Sequence, residues 1–183
     1  NAFNIIKNDV DRLIVELKQH KEYHSADAGG YFYEIRKVSP EDLPELERAA
    51  RFIYLNRTCF NGLYRVNSSG QFNVPIGSYK NPDVIQEEKL KKISKLLQNV
   101  AVKVMSFEKV LNLAKKDDFI YFDPPYYPLK RGKSFTAYTK NNFLEKEQKL
   151  LADVFKKLDQ RGCSVMLSNS DAEFVKALYP DYD

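Results

Sequence analysis

An α/β fold is predicted by two short apolar segments, Phe119-Ile120-Tyr121-Phe122 and Ser164-Val165-Met166-Leu167, each flanked by helical periodicity. Strands of that kind, separated by helices, mark a parallel sheet covered on both faces. The composition agrees: 43% hydrophobic beside 30% charged residues is that of an ordinary globular chain. Its 183 residues can bury one core, with room for a second small lobe.

Taken in order, Ile5, Ile6, Val10, Leu13, Ile14 and Leu17 recur at helical spacing, so the chain opens in a helix. Ala26-Asp27-Ala28-Gly29-Gly30 reads as a break. Ser39-Pro40-Glu41-Asp42 predicts a helix start, with Ser as N-cap and Pro in the first turn, leading through Leu46, Ala49, Ala50, Ile53 and Tyr54. Tyr64 to Tyr79 predicts a β-hairpin-like element turning near Asn67 to Gly70, because Gln71-Phe72-Asn73-Val74 alternates beside Ser68-Ser69-Gly70. Asn81-Pro82 caps a lysine-rich helix carrying Leu90, Ile93 and Leu97. Val100 to Met105 is expected as a strand, Phe107 to Ala114 as a short helix and Phe119 to Phe122 as a strand. An amphipathic helix using Leu144, Leu151, Phe155 and Leu158 follows, then the strand Ser164 to Leu167 and a helix from Ala172 to Leu178.

The net charge of +4 permits nucleic-acid binding without demanding it. No apolar run is long enough to cross a bilayer. Cys59 and Cys163 lie far apart without metal-ligand spacing, which favours a reducing, cytoplasmic compartment and argues against a structural zinc. His20 and His24 sit among lysines and are expected on a solvated helix face rather than as a metal pair. Twelve Tyr and twelve Phe, several in polar surroundings, are more than burial alone explains; stacking on bases is one reason to keep them near a surface.

The residues that carry chemistry are Asp123-Pro124-Pro125-Tyr126, at the end of the strand Phe119 to Phe122, where α/β proteins place their working groups. Two prolines fix their own backbone and hold the preceding residue out of helical conformations. The result is a rigid shelf with a carboxylate, a free carbonyl and an aromatic face. An exocyclic amino group has two N–H donors, and Asp123 with the Pro124 carbonyl offers two acceptors. A Pro-rich turn capped by an Asp is the bland alternative.

Asp-Pro-Pro-Tyr resembles the catalytic motif of amino-methyltransferases that use S-adenosyl-L-methionine, in the form favoured by N6-adenine DNA enzymes. Two further blocks, Leu55 to Arg65 and Gly70 to Tyr79, resemble the recognition hairpin of Dam and DpnII-type (D12 class) N6-adenine-specific DNA methyltransferases. Phe135-Thr136-Ala137-Tyr138 and Leu167-Ser168-Asn169-Ser170 are similar to their downstream motifs, so the likeness covers the chain from about Leu46 onward. It implies a partial Rossmann-like methyltransferase core, residues 1–21 and 99–183, with an inserted helical and hairpin recognition lobe, residues 22–98. The implied reaction is methyl transfer from S-adenosyl-L-methionine to N6 of an adenine flipped from double-stranded DNA, within GATC. A non-enzymatic DNA-binding relic and an RNA or protein amino-group methyltransferase are the rival readings.

Residue by residue, the resemblance assigns catalysis to Asp123, Pro124 and Tyr126, and cofactor contacts to Ser106, Phe107 and Asp123. For Ser106-Phe107 an N-cap serine and a core phenylalanine stand equally. The DNA-facing set is Arg57 on phosphate, Phe60 and Asn61 beside the flipped base, Leu63 and Pro75 on base edges, Arg65 on a guanine, and Tyr79 on the backbone or a neighbouring base. For Phe72 a hairpin-core role is the better reading. Ser168-Asn169 is placed near the site or in a turn, and Lys130-Arg131-Gly132-Lys133 near phosphate or in a solvated loop. The family's Phe-x-Gly-x-Gly segment and its early lysine-bearing segment are absent, and Ser78 stands where Arg is common. A piece of a longer polypeptide, inactive by itself, is therefore expected. A restriction endonuclease would be a functional, not a physical, partner.

Overall fold

The computed structural model describes residues 1–129 and 143–182. They form two compact units that divide between Lys103 and Val104. Residues 1–21 therefore pack with residues 22–98, and the expected boundary at 21–22 falls inside a continuous helix.

The first unit is helical. α1 (Ala2–Asn8) and α2 (Val10–Ala26) are separated only by Asp9, whose backbone leaves the helical region. α3 (Ala28–Lys37) follows after Asp27, so the expected break is one residue long. Asp27 caps α3 by accepting from the Gly30 N–H at 2.9 Å. A Cβ on Gly30 would lie 2.1 Å from that carboxylate, so the glycine that reads as a loop signal is what lets the cap close. Ser39-Pro40-Glu41-Asp42 makes a single 3-10 turn rather than opening the long helix. Pro44 is the cause: it holds Leu43 extended, and α4 (Glu45–Thr58) starts only beyond it. α5 (Glu87–Leu97) likewise begins five residues past Pro82.

Leu13, Leu17, Phe32 and Tyr54 are fully buried at the centre of this unit. Each such side chain contributes about 1.5–3 kcal/mol by leaving water. The stripe Leu13, Leu17 continues at helical spacing to His20 and His24, and this corrects the expectation of a solvated face. The His20 ring stacks on Tyr54 at 4.8 Å, and its Nδ1 lies 2.7 Å from the Tyr31 hydroxyl. His24 is buried, with Nδ1 2.9 Å from the Tyr54 hydroxyl. Burial, helped by the Arg51 guanidinium, lowers the pKa of His20 to about 4; burial lowers that of His24 as well. Arg51 is itself buried and donates to the Ile35 and Arg36 carbonyls at 3.0 Å each, at the carboxyl end of α3.

In the second unit β1 (Phe119–Phe122) and β2 (Ser164–Leu167) pair in parallel, with Phe119 opposite Ser164 and Phe122 opposite Leu167. α6 (Glu145–Gln160) connects towards β2 and covers one face, packing Leu151, Val154, Phe155 and Leu158 with Ile120, Phe122, Val165 and Leu167. The Glu147 carboxylate accepts from the Leu144 N–H at the start of α6. α7 (Glu173–Leu178) is short. The small parallel sheet among helices fits the α/β class. Val100 to Met105, expected as a strand, is not one. A strand needs a neighbour's backbone to complete its ladder. Among the described residues none pairs with this segment, and Val104 is fully exposed.

Candidate active site and nucleic-acid interface

The candidate residues fall in both units. Arg57, Phe60, Asn61, Leu63, Arg65, Pro75 and Tyr79 belong to the first; Ser106, Phe107, Asp123, Pro124 and Tyr126 belong to the second.

In the first unit α4 runs out at Thr58 into an extended stretch that returns on itself. At the base, Phe60 N–H donates to the Pro75 carbonyl at 2.9 Å and Gly77 N–H to that of Thr58 at 2.8 Å. Cys59 faces Ile76 across this antiparallel bridge. Nearer the tip, Val66 faces Phe72, with Asn73 N–H donating to the Arg65 carbonyl and Asn67 N–H to that of Gln71. The two tiers are out of register because Asn61 and Gly62, both at positive φ, insert a tight turn on one side only. Hence the expected hairpin is two short ladders rather than two regular strands. At the tip the Asn67 side chain accepts from the Ser69 and Gln71 N–H groups, and Gly70 takes φ 79.

Alternation roots this loop. Phe72 and Val74 are buried in the helical core, while Pro75 is exposed. Phe72 is thus a core residue. Phe60, Leu63 and Tyr79 are not: they are 50%, 41% and 47% exposed, too open to be a hairpin core. Arg65 is exposed but held, its Nε donating to Asn73 Oδ1 at 2.7 Å and its Nη2 to the Asn73 carbonyl at 3.4 Å. Residues 65 and 73 are direct cross-strand neighbours, so this contact follows from the register. Nη1 and one hydrogen of Nη2 make no hydrogen bond among the described residues. Arg57, Asn61 and Tyr79 line one open cleft with Asn56 and Asn81, and Arg57 donates to Gln86. Gly77 is required by its neighbours: a Cβ there would meet the Cys59 carbonyl at 2.9 Å and the Tyr79 ring at 2.4 Å.

In the second unit Asp123 follows directly on β1, at its carboxyl end. Asp123 and Tyr126 are exposed, Tyr126 by 51%. Among the described residues the Asp123 carboxylate and the Pro124 carbonyl make no hydrogen bond. Three of the backbone groups that follow are tied. Gln148 Nε2 donates to the Pro125 carbonyl at 3.1 Å. Tyr127 N–H donates to Asn169 Oδ1 at 3.0 Å, and the Ser170 hydroxyl donates to the Tyr127 carbonyl at 2.5 Å. Asn169 also accepts from the Ser170 N–H, so it both turns the chain after β2 and holds the motif. Gln148 is completely buried. Sequence reasoning misses it, although a glutamine four residues after Leu144 and three before Leu151 sits on the apolar face of α6.

Ser106 is exposed at the start of a 3-10 turn and makes no capping bond. Phe107 is half-buried in the second core, with its ring 5.8 Å from that of Phe143. Lys130-Arg131-Gly132-Lys133 and Phe135-Thr136-Ala137-Tyr138 lie outside the described residues. No described helix is long and apolar enough to cross a membrane.

The family model of the D12 class N6 adenine-specific DNA methyltransferases matches residues 1–183. Type II methyltransferase M.MjaIII of Methanocaldococcus jannaschii is 46% identical over 190 positions, covering 100% of this chain and 66% of that protein. Type II methyltransferase M1.LlaDCHI of Lactococcus lactis subsp. cremoris is 42% identical, covering 100% of the chain and 66% of its own length. The DNA adenine methylase of Haemophilus influenzae is 37% identical, with 98% of this chain and 63% of that protein covered. The chain thus spans just under two thirds of the length of these relatives.

Proposed function

The chain belongs to the D12 class of N6 adenine-specific DNA methyltransferases, and from that premise we propose that the polypeptide carrying it transfers a methyl group from S-adenosyl-L-methionine to N6 of an adenine flipped out of double-stranded DNA, within GATC. The observation that carries the chemistry is the pair of acceptors at the end of β1, the Asp123 carboxylate and the Pro124 carbonyl. Neither meets a donor among the described residues, whereas the Pro125 carbonyl and the Tyr127 N–H that follow are tied down.

Two acceptors match the two N–H donors of an exocyclic amino group. Drawing both hydrogens out of the ring plane frees the nitrogen lone pair from the ring and aims it for attack. Catalysis then comes from positioning and from fixed negative charge rather than from covalent chemistry with the protein. Tyr126 offers an exposed ring for the base to stack on. A paired base cannot reach such a turn, so it leaves the duplex. When bound, S-adenosyl-L-methionine supplies an electrophilic methyl group on a sulfonium. Ser106, Phe107 and Asp123 would hold it, and their chemistry fits: an exposed hydroxyl and a ring for a purine, an exposed carboxylate for a cationic end.

For recognition, the exposed loop supports the assignment of Arg65 to a guanine, because an Arg fork held from behind is built for bidentate contact. Leu63 and Pro75 contact base edges, Phe60 and Asn61 fill the gap left by the flipped adenine, and Arg57 and Tyr79 hold the backbone. The name of the Haemophilus relative, a DNA adenine methylase, supports adenine methylation, and that of the lactococcal relative, a type II methyltransferase, supports methyl transfer.

Transfer of labelled methyl to duplexes with and without GATC, beside RNA and peptide acceptors, tests this reading. Label in adenine of the GATC duplex alone is the expected result. Label in RNA or peptide, or in no acceptor with the full-length polypeptide, would overturn it.

A further inference from the structure

We propose that Gln148 is a positioning residue for the Asp123–Tyr126 turn, acting with Asn169 as a brace whose hydrogen-bonding direction is fixed from both ends. Gln148 is 0% exposed on the apolar face of α6. A buried amide costs free energy unless both its ends are paired, and a Leu or Met would fill the same space without that cost. What the glutamine adds is one donor and one acceptor, and both are used. Nε2 donates to the Pro125 carbonyl at 3.1 Å, and Oε1 accepts from Asn169 Nδ2 at 3.0 Å. Asn169 Oδ1 in turn accepts from the Tyr127 N–H at 3.0 Å.

Neither amide can be turned over. Proline has no N–H, so Pro125 can only accept; the Tyr127 backbone nitrogen can only donate. Flipping Gln148 would set oxygen against oxygen at Pro125, and flipping Asn169 would set donor against donor at Tyr127. The brace therefore fixes the peptide planes on both sides of Tyr126. It occupies the second proline's carbonyl and leaves the first one's, on Pro124, open. The prolines make such help necessary. They remove two of the N–H groups by which a turn would otherwise brace itself.

The catalytic consequence rests on the methyl-transfer reading; the brace does not. The test uses the full-length polypeptide as wild type, Gln148→Met and Gln148→Glu, read by amide hydrogen exchange at Tyr127, by kcat and KM for a GATC duplex, and by thermal melting. Gln148→Met should speed Tyr127 exchange at least tenfold and lower kcat at least tenfold. KM for DNA should stay within twofold, and the protein should remain folded at the assay temperature. In Gln148→Glu a protonated carboxyl can take the place of the amide, its O–H donating to Pro125 while the other oxygen accepts from Asn169. That variant's kcat should therefore be restored at acid pH and lost as pH rises, over a range where the wild type is flat. Wild-type exchange or wild-type kcat in Gln148→Met, a kcat that falls only with the folded fraction, or a pH-independent Gln148→Glu would overturn the proposal. If the wild type methylates no DNA, the functional reading fails, and exchange at Tyr127 alone upholds or overturns the brace.

Discussion

The 58–77 loop of the first unit and the 123–127 turn of the second both carry candidate chemistry on irregular backbone, yet they are held by opposite means. The loop braces itself: its own N–H and carbonyl groups close two ladders, Phe72 and Val74 root it in the core, and Phe60, Leu63 and Arg65 are left outward. The turn cannot do this, because Pro124 and Pro125 bring no N–H groups. Its support comes from outside, from side chains of α6 and of the segment after β2. A segment rich in backbone donors can place its side chains freely, whereas one stripped of donors becomes rigid only where neighbouring side chains supply them.

The largest expected effect separates chemistry from support in the turn. Asp123→Ala removes an acceptor without touching the brace, so methyl transfer should fall by about 10³-fold or more. Affinity for the GATC duplex by fluorescence anisotropy should stay within about threefold; wild-type turnover would refute the mechanism.

Acid should distinguish the units next, since both histidines lie in the first one. His20 titrates at about 4 when folded against 6.5 when unfolded, so the unfolded chain binds its proton more readily. The stability this gives is complete above pH 6.5 and is lost as pH falls towards 4, by about 3 kcal/mol. Urea unfolding of wild type and His20→Gln across that window should show the slope shrinking in the variant.

Arg65→Ala tests the outward side chains alone. Discrimination at one guanine should relax by about 1–3 kcal/mol with the fold unchanged, measured as the ratio of kcat/KM between GATC and a singly substituted duplex. The smallest effect should come from the loop's frame. Gly77→Ala forces a methyl against the Cys59 carbonyl, and the first unit should lose about 1–2 kcal/mol in a denaturant titration. No loss would mean that the base ladder yields easily.

Much of this is legible from residues alone. β1 and β2 stand out as short apolar runs, and Asp123-Pro124-Pro125-Tyr126 declares itself by residue type at the end of a strand. The alternation of residues 71–74 marks Phe72 as inward. Such signals are local: periodicity and proline chemistry act within a few residues. The histidines mislead because lysine neighbours suggest a surface, although the spacing Leu13, Leu17, His20, His24 points inward. Val100 to Met105 misleads because a strand's identity lies in its partner, which no local pattern specifies. α3 escapes notice because Gly29 and Gly30 are loop signals by themselves, yet Gly30 serves a cap.

The sequence by itself determined the two strands, the rigid turn and the residues that could serve as acceptors, because those properties belong to single side chains and short runs. Only the tertiary structure decided which carbonyls of the turn are tied, which nitrogens of Arg65 are held by Asn73 and that Gln148 locks the turn. Each of these depends on a hydrogen-bond partner 8 to 42 residues away in the chain.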